Sequence, residues 1–144
     1  MAEITRKELI LRLIDAGEHP RLGGVDLSRL DLSGVELRGA WMCEADLSGA
    51  NLSSANLSNA DLRLADLSLA DLRGANLRGA DLRRANLRSA KLNFADLTGA
   101  NVESASFSKA DLREANLAGT NLEKANLTGA KLTNAIMPDG KRGE

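Results

Sequence analysis

The sequence predicts an all-β solenoid, and three observations carry that prediction. Residues 25–139 divide without gap or insertion into twenty-three blocks of five residues. The first position of a block is Ala in nineteen of them, and the third is Leu in nineteen. Aromatic residues make up only 2% of the chain and tyrosine is absent, so the core is built from small and medium aliphatic groups. A short, strictly kept period is the mark of a repeat architecture.

Neither standard periodicity fits a period of five. On an α-helix, leucines five apart step about 140° each time and scatter around the cylinder. On one continuous strand, an odd spacing sends successive leucines to opposite faces. Within a block, however, the Ala and the Leu are two apart and share a face of a short extended segment. If the chain turns a corner before the next block, every Ala and Leu points inward. The second position is Asp or Asn in seventeen blocks, and the fourth and fifth favour Ser, Arg and Gly. Those residues suit an outer surface and a corner.

Blocks such as ADLSG (45–49), ANLRG (75–79) and ADLTG (95–99) resemble those of the pentapeptide-repeat family. The resemblance implies a right-handed quadrilateral β-helix with four blocks, or twenty residues, per turn. Residues 25–139 would then make nearly six coils, a rod of roughly 27 Å at a strand spacing of about 4.8 Å. The short form, with an N-terminal helix and a "MPDG" ending, is similar to cyanobacterial members. So regular a sequence is also compatible with a designed or consensus-like origin.

The N-terminal segment is read as the cover for one open end of the rod. Thr5 and Glu8 form a capping-box pattern, with Ile4 and Leu9 placed as its hydrophobic staple. Leu9, Ile10, Leu13 and Ile14 share one face of a helix expected over residues 5–16, and Gly17 is placed as its stop. Residues 1–24 are thus the capping helix and its connection, 25–139 the β-helix, and 140–144 a short tail expected to fray. Pro138 lacks a ladder donor and blunts the second end. In the block AWMCE (40–44), Ala40 and Met42 keep the inward positions, so Trp41 and Cys43 point outward. Trp41 is expected to cover the cap junction, together with Leu9 and Leu13.

Composition narrows the function. Nineteen basic and twenty acidic residues leave a net charge of −1, so no bulk field recruits nucleic acid or membrane. The arginine belt of Arg63, Arg73, Arg78, Arg83, Arg84 and Arg88 is interleaved with Asp61, Asp66, Asp71 and Asp81, and no aromatic platform accompanies it. In the twenty-residue register, Arg63 stacks on Arg83 and Asp61 on Asp81. Direct nucleic-acid binding is therefore not expected. Some family members act as DNA mimics on type II topoisomerases through a strongly negative rod; residues 25–139 hold fifteen acidic and thirteen basic residues, a net of −2.

One histidine (His19) and one cysteine (Cys43) make neither a catalytic set nor a metal cluster, so no enzyme activity and no cofactor is expected. The expected role is a cytoplasmic, monomeric, non-catalytic scaffold for an unidentified protein partner, with the DNA-mimic inhibitor or protector of a type II topoisomerase as the alternative. Arg63, Arg83, Arg84 and Leu64 are the candidate partner surface. Leu64, Leu69 and Phe94 occupy the fifth, corner position on three different sides of the register, and Phe107 takes the inward third position.

Overall fold

The computed structural model describes residues 6–15 and 19–143, apart from the side chains of Arg6, Leu9 and Leu13. Helix α1 (Arg6–Asp15) precedes a solenoid described over residues 20–143. The expected capping box, hydrophobic staple and Gly17 stop rest on residues or side chains outside those described. So do the expected cap contacts of Leu9 and Leu13.

Every parallel bridge joins residues twenty positions apart, so four five-residue blocks complete one turn. Block 45–49 shows how the backbone is satisfied. The Ala45 N–H donates to Met42 O (3.0 Å) and closes the corner behind it; the Asp46 N–H donates back to Val25 O (3.0 Å). Leu47 and Gly49 donate forward to Asp66 O (2.7 Å) and Ser68 O (2.9 Å). The fifth donor, the Ser48 N–H, is taken by Asp46 Oδ1 (3.0 Å). All five donors are thus used, as a closely stacked backbone requires. That last bond is why the second position wants Asp or Asn. The same position is Ile136 in the last block, where the fourth residue is Pro138, so that block lacks the acceptor and brings no donor.

Pairing is confined to single bridge residues rather than extended strands, because two of every five residues form the corner. The fifth residue of the block takes a positive φ, for example +65° at Gly49 and +59° at Leu64, while the fourth does not. That is the signature of a type II turn, and it explains the frequency of Gly there.

The inward positions from Leu37 to Leu117 are buried, most of those on the last turn only partly, and Met42 and Phe107 are accommodated without exposure. Val102, smaller than Leu, stands at the third position of the block before Phe107 and offsets part of the added volume. Ile10 and Ile14 of α1 belong to the same buried cluster.

Both ends differ from the sequence expectation. The coil pattern runs one block further toward the N-terminus than residue 25: Arg21 bridges Trp41, and Leu22 is fully buried with its N–H on Trp41 O (2.6 Å). At the other end, residues 141–143 do not fray. Gly140, at φ +83°, closes a tight turn, and the chain returns antiparallel with Ile136 bridging Arg142. The Met137 N–H donates to Lys141 O (2.7 Å) and the Asn134 N–H to Gly143 O (3.1 Å), so the return occupies donors that the last turn would leave open.

Burial sets the cost of core changes. Leu72→Ala, in the middle of the rod, is expected to lose about 2–5 kcal/mol. Leu132→Ala, at a position only partly buried on the last turn, is expected to lose less than half as much. Urea unfolding midpoints of the two variants against the parent check this order.

Candidate functional site

Four arginines at the fourth position are clamped by the aspartate two residues before them. Arg63 donates from Nε to Asp61 Oδ1 (2.8 Å) and from Nη2 to Oδ2 (2.7 Å). Arg73 with Asp71, Arg83 with Asp81 and Arg113 with Asp111 repeat the fork. Residues two apart on a short extended side lie on one face, and the planar guanidinium matches a carboxylate edge to edge. These bonds hold the four carboxyls below the usual carboxylate range, against the opposing pull of partial burial. Much of the arginine belt is thereby neutralised in place.

The expected stacking of Asp61 on Asp81 is observed as a bridge. The structure also brings the four candidate residues together. Arg63, Leu64, Arg83 and Arg84 line one hollow of about 330 Å³, with Cys43 below and Glu103 above. This hollow lies on the side of the rod that carries Trp41, formed by the blocks beginning at 20, 40, 60, 80, 100 and 120.

Two further hollows open on that side. One, of about 510 Å³, is bordered by His19, Arg21, Gly39, Trp41 and Asn59. The other, of about 530 Å³, lies between Asn101 and Asn121 and is flanked by Glu103, Glu123 and Lys124. Thr120 replaces the usual Ala there, and its Oγ1 donates to Leu117 O (2.7 Å). Among the described residues, the Asn101–Asn121 pair is the one break in the series of twenty-residue bridges between 21 and 136.

Trp41 is 58% exposed, and the guanidinium carbon of Arg21 stands 5.0 Å from its ring centroid. A large aromatic was expected to be covered at the cap junction; its observed partner is the residue stacked twenty positions earlier. Recognising residues 20–24 as a block would have identified Arg21, since the register alone pairs it with Trp41. Arg21 is thus a site residue that sequence reasoning missed, and the Thr120 opening is another. His19 packs over Gly39, where a Cβ would meet its imidazole, whereas Cys43 lines the adjoining hollow beside Arg63. Burial pushes the Cys43 thiol up, and the charge of Asp61 adds to it. Among the described residues, no group of three or more His, Cys, Asp or Glu side chains is placed to hold a metal ion.

The pentapeptide-repeat family model matches in eight copies, spanning residues 18–49, 31–68, 65–103 and 105–138. The chain belongs to the pentapeptide repeat family. It is similar to Rfr23, a pentapeptide repeat protein of the cyanobacterium Cyanothece 51142, at 31% identity and a TM-score of 0.60, over 85% of this chain and 91% of that one. A pentapeptide repeat protein of the Arabidopsis thaliana thylakoid lumen is 35% identical, with a TM-score of 0.54, over 65% of this chain and 70% of that one. QnrB1, a plasmid-mediated fluoroquinolone resistance protein, matches at 21% identity and a TM-score of 0.47, over 80% of this chain and 75% of that one. No curated protein matches the chain. No helix among the described residues of this pentapeptide repeat protein is long and apolar enough to cross a membrane.

The clamps give stability a defined pH dependence. Carboxyls with depressed pKa values contribute above their unfolded values, near pH 4, and that contribution is lost as pH falls through the folded values. The melting temperature should therefore fall between about pH 5 and pH 2. The quadruple variant R63Q/R73Q/R83Q/R113Q should lose less over the same window, which parallel thermal melts measure.

Proposed function

We propose that this pentapeptide repeat protein is a non-catalytic, monomeric scaffold that presents its Trp41 side to a protein partner. The observation that carries the reading is the gathering of three hollows on one side, which also carries Trp41, Cys43, Leu64 and Thr120 among the departures from the repeat. Proteins of this family are generally structural or interaction scaffolds. A rigid stack with a uniform core supports varied surface chemistry without rearranging to bind. The DNA-mimic reading gains no support from the surface, because basic residues are interspersed through it and four aspartates are locked to arginines. The proposal keeps the cytoplasmic location, and cell fractionation distinguishes it from the thylakoid lumen of one relative.

A photocrosslinking residue placed at Ser104, an exposed position lining the same hollow as Arg84, should capture a discrete protein partner in the source cell. The same residue at Lys131, on the side that carries Phe94, should not. Capture from both positions alike, or from neither, removes the basis for the reading.

The proposal includes a right-handed, four-sided coil of nearly six turns, with α1 as its N-terminal cover. Burial of Ile10 and Ile14 in the coil's own apolar cluster supports the cover, as does the approach of Lys7 Nζ to Asp31 Oδ2 at 4.0 Å. Deleting residues 1–18 is expected to lower the melting temperature and to raise binding of an apolar dye, while Trp41 emission stays that of an exposed indole. Unchanged melting would refute the cover.

A further inference from the structure

Whether a fourth-position arginine is free depends on two other positions. An aspartate two residues earlier clamps it, as at Arg63, Arg73, Arg83 and Arg113. Where that residue is Asn76, Arg78 instead reaches Asp96, which stacks on Asn76 in the next turn (3.1 Å). Arg88 has neither: Asn86 precedes it, and Ser106 stacks on Asn86. Only its backbone N–H engages Asn86. Arg84 occupies the corner just before this block. Both side chains are exposed, and neither guanidinium has a carboxylate partner among the described residues.

Two exposed leucines lie directly beside these arginines. The Leu64 N–H donates to Arg83 O and the Leu69 N–H to Arg88 O, each at 3.0 Å. Leu64 is 48% and Leu69 70% exposed. Both stand at φ +59°, where glycine is free of strain and leucine is not. Folding gives no reason for leucine at either corner. The two were expected on different sides, but as the corners at either end of one side, residues 65–69, they frame the same surface. The carboxylate between them, Asp66, is engaged by the N–H and Oγ of Ser68.

We infer that Arg84 and Arg88, with Leu64 and Leu69, form the docking site for an acidic segment of a protein partner that carries an aliphatic side chain among its carboxylates. The carboxylates complement two unpaired guanidiniums, and the aliphatic group covers the leucines. A nucleic acid fits less well, because no aromatic ring adjoins the arginines to stack a base. The inference rests on the scaffold reading, extends that surface around the corner at Leu64 and Arg84 onto the side of residues 65–69, and names the chemistry of the partner.

The test is an amide chemical-shift titration of the full chain with a short Glu/Leu peptide, its Gln/Leu and Glu/Ser counterparts, and a single-stranded oligonucleotide. The Glu/Leu peptide should bind at least ten-fold more tightly than the others and shift the amides of residues 64–69 and 84–89. R84Q/R88Q and L64S/L69S should each weaken it about ten-fold, which corresponds to about 1.4 kcal/mol, while unchanged thermal melts show that both fold. R73Q, which removes a clamped arginine, should leave binding unaltered. Absence of shifts at millimolar peptide, shifts confined to another side, an equal loss in R73Q, or tighter binding of the oligonucleotide would overturn the site. Any of these beside a positive Ser104 crosslink rejects the patch alone. A failed crosslink rejects the scaffold itself.

Discussion

The hydrogen-bond ladder between turns is the constraint on which the rest of the molecule depends. In block 45–49 three donors cross to the turns above and below, one closes the corner and one goes to a side-chain oxygen. Nothing is left over, so an inserted residue would move every later donor off its acceptor and every inward side chain onto the surface. The strict period is a consequence of this accounting. The aliphatic core follows as well, because short sides bring the inward chains close together and leave room for Ala and Leu rather than aromatic bulk.

What the ladder does not use is available for recognition. The second position is tied to the turn by its oxygen, whereas the fourth and fifth side chains are free to vary. Their chemistry is nevertheless not independent of the register. An arginine is neutralised or released according to the residue two before it and the residue stacked above that one, as Arg73, Arg78 and Arg88 show in turn. Net charge therefore says little about this surface. Two arginines in one turn differ in availability although both are exposed, and the difference is set by Asp81 against Asn86.

Much of this was legible from sequence because the register is arithmetic. Adding twenty to Asp61 reaches Asp81, and the inward set of Ala, Leu, Met42 and Phe107 follows from the block alone. What escaped was disguised by composition or made by a corner. Pro20 and the pair Gly23–Gly24 hid a block whose one diagnostic residue is Leu22, and Arg21 was hidden with it. The return of residues 141–143 depends on the left-handed Gly140, which acts only once the preceding side has been laid down. Leu64 and Leu69 were assigned to separate sides although a corner residue borders two. The opening at Asn101–Asn121 adjoins Thr120, whose hydroxyl bonds its own turn, and no pattern of small residues announces it.

The corner also offers a way to separate folding from function in such a uniform chain. Fifth residues take a positive φ at all corners from 24 to 119 and at 129 and 134, so glycine there costs the least backbone strain, and another residue is retained against about 1–2 kcal/mol of left-handed preference. A polar replacement such as Asn59 or Ser54 recovers part of this, since asparagine tolerates the left-handed region and a polar group is solvated there. Leucine at 64 and 69 and phenylalanine at 94 recover nothing, since their apolar groups also remain in water. Strain and exposure then act in the same direction at the same residue. A side chain kept under both penalties must contribute something that the isolated fold does not need. Two of the three such positions lie directly beside Arg84 and Arg88, which lack a clamp.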